Sequence, residues 1–222
     1  MDECATPPYA RVWQLSGGDV DDPSFARAYC DDVVPMLEEL TGYLGVFVLV
    51  DSERHLLRAI SFWQSDETRE RSRVVFTRVV DALTRLASAT FDGAWDYEVV
   101  VSDFWGVLGA RSQRGEVDHL LVRVGVLQGP AVADPAVIEP LRDYLVTTLA
   151  PDPGCVGTLL LRDPVRPAAF GASFWVDADA AARTRDLGGE TLRQVTRSTG
   201  TTSSNVGVFE VLVNRPMTRS VR

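Results

Sequence analysis

The sequence predicts an α+β protein built from two tandem βαββαβ repeats packed sheet to sheet. Three observations carry this. The chain repeats itself without gaps at a spacing of 112 residues: Arg11, Val12, Leu15 and Gly17 meet Arg123, Val124, Leu127 and Gly129. Likewise Ser61-Phe62-Trp63 meets Ser173-Phe174-Trp175, and Glu98, Val99 and Val101 meet Glu210, Val211 and Val213. Roughly a quarter of the aligned positions are identical, and a period of this length is a whole small domain. Within each repeat, stretches with strand and helix periodicity follow in the same order. The strand stretches are also apolar on both faces, with Val46, Val48 and Val50 on one side and Phe47 and Leu49 on the other. Helices on one face would leave the second bare, and sheet against sheet buries it.

The elements follow in order. Residues 1–9 form a polar, Pro-containing arm. Arg11–Ser16 reads as a strand ended by Gly17-Gly18. Asp22-Pro23-Ser24 signals a helix start. Phe25, Tyr29, Val33, Leu37 and Leu40 then recur at helical spacing. Pro35 should kink this helix or divide it, and Gly42 should cap it. Gly45–Val50 and Leu56–Gln64 read as a hairpin across the polar turn Asp51–His55. Asp66–Ala87 reads as the second helix, with Phe76, Val79, Val80, Leu83 and Leu86 as its apolar stripe. Trp95–Ser102 is the fourth strand. This order is the ferredoxin-like unit. Residues 103–118 form a linker whose Phe104 and Trp105 are expected to pack. The second copy is read as strands 120–128, 155–162, 168–176 and 206–213 with helices 135–149 and 178–198, the latter broken at Gly188-Gly189. The tail 214–222 is basic and expected to fray. The domains are thus 10–102 and 119–214.

Composition narrows the function classes. Hydrophobic residues make up 45% of 222, enough for two modest cores. Net charge is −9, which disfavours phosphate backbones and anionic membranes. The basic residues are all arginine; Arg69, Arg71, Arg73 and Arg78 share one helix and read as a solvated face. Cys4, Cys30 and Cys155 are scattered, without ligand spacing, so neither a disulfide framework nor a metal site is expected. The N-terminus lacks a basic and apolar leader, and the longest apolar run, Leu44–Val50, is far short of the roughly 20 residues of a membrane helix. A cytoplasmic location is expected.

The strand pattern, the helix-Gly-x-x-Gly-strand junctions (Gly42, Gly45; Gly154, Gly157) and the repeated Ser-Phe-Trp resemble the dimeric α/β-barrel superfamily, most closely its antibiotic-biosynthesis-monooxygenase-type branch. The resemblance spans about residues 10–102 and 119–214. Members usually dimerise, so the chain resembles such a dimer fused in tandem: an intramolecular, pseudo-dimeric α/β barrel. The resemblance implies several activities: some members oxidise a small aromatic substrate of secondary metabolism, such as an antibiotic polyketide, with oxygen, no cofactor and no metal; some degrade haem; others isomerise lactones or have no assigned chemistry. Its haem-degrading branch pairs a helix His with a first-strand Asn. Here only His55, in a turn, and His119, in the linker, are present, and the first strands offer Trp13 and Gly125. Haem degradation is therefore disfavoured.

Candidate site residues come from breaks in the repeat. Trp13 has Gly125 as its counterpart, so a large ring faces one copy and nothing faces the other. Gln14, Arg58 and Tyr97 have the apolar counterparts Val126, Phe170 and Phe209. Polarity gathered in the first copy points to an N-terminal pocket, with Arg58 and Tyr97 as catalytic candidates stabilising and orienting a phenolate. Trp13, Gln14, Trp63 and Trp175 are the substrate-binding candidates; the repeated tryptophans read equally as core residues closing the sheet. Glu98 and Glu210 are expected to pair with Arg11 and Arg123. Two functions stay open: a cofactor-independent, quinone-forming oxygenase or related cyclase acting on a polycyclic aromatic, and a non-catalytic barrel binding an apolar small molecule or a protein.

Overall fold

The computed structural model describes residues 8–102 and 120–215. The arm 1–7, the linker 103–118 with Phe104 and Trp105, His119 and residues 216–222 lie outside the described residues. Eight strands are present: β1 Tyr9–Ser16, β2 Tyr43–Asp51, β3 Leu56–Trp63, β4 Thr90–Ser102, β5 Leu121–Gln128, β6 Cys155–Arg162, β7 Ala168–Trp175 and β8 Thr202–Arg215. Their order, β1-β3-β2-β8-β5-β7-β6-β4, closes on itself as a barrel. The strands of the second half open 112 positions after those of the first. By contacts the chain forms two compact units, Met1–Glu98 with Leu212–Arg222, and Val99–Val211.

In the first unit β1 lies antiparallel between β3 and β4, and β2 pairs with β3. Strand alternation sends Trp13, Leu15, Val46, Val48, Ala59 and Trp63 to the helix side, where they meet Phe25, Tyr29, Val33 and Leu83. Phe47 and Phe62 meet edge-on on the opposite face. The helices are α1 Pro23–Ala28, α2 Val34–Glu38, α3 Asp66–Arg71 and α4 Arg73–Leu86. Asp22 caps α1 by accepting from the Ser24 N–H at 2.7 Å. Pro35 lacks an N–H and crowds the carbonyl four residues earlier. The chain responds with a wider π-helical turn, Tyr29–Val33, from which the Val34 N–H reaches back to the Tyr29 carbonyl.

The second unit follows the same plan, with α5 Pro135–Asp143, a π-helical turn Tyr144–Leu149, α6 Ala178–Arg183 and α7 Arg185–Thr199. Asp134 caps α5 and Asp177 caps α6. The core gathers Leu127, Val137, Ile138, Leu149, Leu160 and Trp175. No helix among the described residues is long and apolar enough to cross a membrane.

Four expectations are corrected. The single helix over 66–87 is two helices meeting at Ser72, and its counterpart breaks at Thr184. Gly188-Gly189 sit inside the continuous α7; a Gly costs a helix only about 1 kcal/mol, which packing overrides. Strands β4 and β8 open at Thr90 and Thr202, earlier than the apolar pattern suggests, because β1 and β5 supply backbone partners to polar residues such as Thr90 and Ser203. Arg69 is no solvated residue. Its side chain is 7% exposed and binds Asp66, Glu70 and Asp96.

Candidate functional site

The sequence-derived candidates fall on two faces of the first sheet. Gln14 and Arg58 face each other across β1 and β3. Arg58 Nε donates to Gln14 Oε1 at 2.8 Å, and Gln14 Nε2 donates to Asp92 Oδ2 at 2.6 Å. Tyr97 is buried nearby on β4. Burial lowers the Arg58 pKa, and the neighbouring Tyr97 and Asp51 work against that shift. By strand alternation this group lies opposite Trp13, whose ring stacks on Tyr29 (6.4 Å, 20°) and meets Phe76 edge-on (6.2 Å, 69°). Trp63 and Trp175 are buried, and their Nε1–H groups donate to Ser61 Oγ (3.1 Å) and Ser173 Oγ (2.9 Å). This satisfies the polar atom of each buried indole and explains the repeated serine. Arg58, Gln14 and Tyr97 are thus brought together, but not with Trp13. His55 is exposed, 4.0 Å from Asp21.

A cavity lies elsewhere, within the second unit. It measures about 250 Å³ and sits between the β5–β7 sheet and the helices α5 and α7. Gly125, Leu127, Ala169 and Gly171 line its sheet side, and Leu141, Leu145, Leu149 and Leu192 its helix side. The polar side chains reaching it are Arg123, Tyr144, Ser173, Arg185 and Thr191. None of the six sequence candidates lines it.

The same place in the first unit is filled. A remnant of about 10 Å³ is lined by Arg11, Trp13, Tyr29, Leu37, Ser61 and Phe76, among others. At the 112 spacing these residues become Arg123, Gly125, Leu141, Leu149, Ser173 and Gly188. The ring cluster of Trp13, Tyr29 and Phe76 is therefore replaced by two glycines and a leucine. Leu57 and Ala59 likewise become Ala169 and Gly171. A Cβ built on Gly125 would meet nothing within 4 Å. The Trp13/Gly125 difference was visible in the sequence. Its consequence is the reverse of the expected N-terminal pocket: the ring closes the first copy, and the glycine opens the second.

The charges diverge too. In the first unit Arg11 donates to Asp96 Oδ1 at 2.8 Å and to Ser72 Oγ at 3.1 Å. The facing acid is Asp96, in register with Arg11, rather than Glu98. Arg69 and Arg73 (3.1 Å) converge on the same carboxylate. Burial, with those two arginines, brings the Arg11 pKa down to about 10. Asp96 and Arg69 have Val208 and Ala181 as counterparts. Arg123 therefore turns to the Ala181 carbonyl and to Thr184 Oγ1 (3.5 Å), rather than to Glu210, and lies over the Trp175 ring at 5.5 Å. Burial lowers its pKa, and Arg185 lowers it further. Burial raises the Tyr144 pKa while nearby Arg123 opposes the rise. The Tyr144 hydroxyl is buried without a hydrogen-bond partner among the described residues. No Asp, Glu or His is among the described lining residues. No group of three or more His, Cys, Asp or Glu among the described residues could hold a metal ion.

No family model matches the chain, and no curated protein matches it by sequence. Solved structures do. A candidate monooxygenase from Fusobacterium nucleatum subsp. nucleatum superposes with a TM-score of 0.68 at 13% identity over 95% of each chain. The chain shares with that protein an α+β fold with a closed eight-strand barrel. An anthrone oxidase-like protein matches this barrel with a TM-score of 0.59 at 16% identity, over 94% of this chain and 93% of its own. A candidate monooxygenase from Lactobacillus acidophilus matches it at 0.58 and 11% identity, over 95% and 96%. At these identities the α/β-barrel likeness is one of fold.

Proposed function

We propose that the protein is a cofactor-independent, quinone-forming oxygenase, or a closely related cyclase, that takes a polycyclic aromatic into the cavity of the Val99–Val211 unit. The observation that carries this reading is the cavity itself. The first unit shows that the same scaffold can fill this space with its own side chains, and the second unit leaves it open. Its volume, about 250 Å³, is near the lower end of small-molecule sites, which run from about 300 Å³. That suits a ligand of two or three fused rings. The anthrone oxidase-like neighbour, which shares the fold, agrees in kind.

In the oxygenase version a ring hydroxyl loses its proton to bulk water before it enters the cavity, and the electron-rich ring of the bound phenolate meets oxygen directly. Overall a ring methylene and one dioxygen become a ketone and water. Arg123, charged across the physiological range, stabilises the developing oxyanion. Tyr144, whose raised pKa keeps it protonated, donates to it. The apolar walls exclude water and fix orientation. We propose for Arg58, Gln14 and Tyr97 a structural part: a buried polar group that holds β1 against β3. We further propose that the chain is a fused pair, an intramolecular pseudo-dimer.

The test is oxygen uptake by the purified, metal-free chain with a hydroxyanthrone. The expected result is saturable uptake, lost in Gly125→Trp and reduced in Tyr144→Phe. Uptake no faster than the spontaneous reaction would remove the oxygenase reading. The lack of a lining Asp, Glu or His among the described residues favours a second reading, a binding barrel without turnover. It predicts a saturable ligand and no uptake.

A further inference from the structure

We infer that each chain binds one planar aromatic of two or three fused rings bearing an anionic oxygen, in the Val99–Val211 unit only, and that the chain itself permanently occupies the equivalent place in its first unit. This rests on the cavity reading above but not on any reaction with oxygen.

Two independent differences between the units converge on this ligand. The first is shape. Trp13 puts a bicyclic aromatic between the β1–β3 sheet and the helices, against the Tyr29 and Phe76 rings. Gly125, Leu141 and Gly188 stand at those positions in the second copy, and a cavity of about 250 Å³ takes the place of about 10 Å³. The first unit therefore shows what the slot accommodates: a flat aromatic between sheet and helices, stacked on one ring and met edge-on by another.

The second difference is charge. Asp96 brings a carboxylate to Arg11, Arg69 and Arg73. In the second unit Val208 replaces that acid, while the counterparts of Arg11 and Arg73 remain as Arg123 and Arg185 and both line the cavity. Neither forms an ion pair with a carboxylate among the described residues. The Tyr144 hydroxyl adds a buried donor without a partner among the described residues. An aromatic ring and an anionic oxygen are what the first unit supplies from its own side chains. A ligand carrying both restores the packing and the charge balance together.

Calorimetric titration of the intact chain with 2-naphthoate and its neutral isostere 2-naphthamide tests this. Expected are one naphthoate per chain and an amide about tenfold weaker or worse. Arg123→Gln should remove most of that preference by weakening naphthoate alone. Gly125→Trp should abolish binding of both without lowering the thermal midpoint. If that variant fails to fold, Gly171→Val is a second plug, because a Cβ there meets only the Gly125 carbonyl, at 4.0 Å. Two naphthoates per chain, equal affinity for acid and amide, binding that survives both plugs, or no saturable binding of either probe would each overturn the inference. One naphthoate bound by a chain that consumes no oxygen with hydroxyanthrone would sink the oxygenase reading and leave this one standing.

Discussion

Ser88 and Gly200 occupy the same place in the two repeats, after the second long helix, and both adopt left-handed backbone, at φ +52° and +64°. Only the glycine does so without steric cost. Ser88→Gly is expected to raise stability by about 1 kcal/mol, read from denaturant unfolding. Ser173 accepts the Trp175 indole N–H at 2.9 Å beside the cavity. Ser173→Ala leaves that buried donor unmet and should cost about 1–3 kcal/mol. Tyr144 carries a prediction for the proposed site. Burial raises its pKa above the usual tyrosine value, so the phenol stays a donor through the neutral range, where a carboxylate ligand is ionised. Affinity for 2-naphthoate should therefore be flat between about pH 6 and 9. A fall centred within that range would remove Tyr144 as the neutral donor.

At the scale of elements, the break between α3 and α4 is tied to Arg11. Its guanidinium reaches Ser72 and Asp96 together and so pins the helix pair to β1 and β4. Arg11 is almost wholly buried, with its partner carboxylate partly exposed. Removing the acid strands a buried charge, and Asp96→Ala should destabilise the fold by about 3 kcal/mol. The second unit keeps the break at Thr184 but bonds it through the Ala181 carbonyl. The converse substitution, Val208→Asp, places an acid opposite Arg123 in the β5–β8 register. It should lower affinity for the anionic probe severalfold while sparing the neutral one, as calorimetry would read. The break itself was not legible in the sequence. Local propensity marked Gly188-Gly189 as the weak point, whereas an arginine on a neighbouring strand selects Thr184.

At the scale of the molecule, one plan is used twice with different outcomes. The first unit is filled and its Arg11, Arg69 and Arg73 meet Asp96; the second keeps an open space lined by Arg123 and Arg185. Trp13→Gly should turn the first into a likeness of the second, at a cost of about 3–5 kcal/mol as for other buried aromatic truncations. It should also let a second, weaker molecule of a neutral aromatic such as 2-naphthamide bind, because Asp96 still neutralises Arg11. A binding stoichiometry of one in a folded variant would show that the other walls of the first unit close on the space.

The sequence by itself determined the fold. A 112-residue spacing kept by Ser-Phe-Trp, the paired glycines and the strand pattern is a local and periodic signal, and periodicity dictates which face of each element is buried. It also marked where the copies differ, at Trp13 and Gly125. It could not say which side of that difference keeps open space. That depends on whether a large side chain points into solvent, into a ligand space or into its own core, and only packing answers this. The structure turns Trp13 onto Tyr29 and Phe76 and sends Arg58 and Tyr97 to the opposite face. It brings Arg123 and Tyr144, 21 positions apart in sequence, to one cavity wall. Burial and convergence are properties of the tertiary arrangement, and a chain read residue by residue does not contain them.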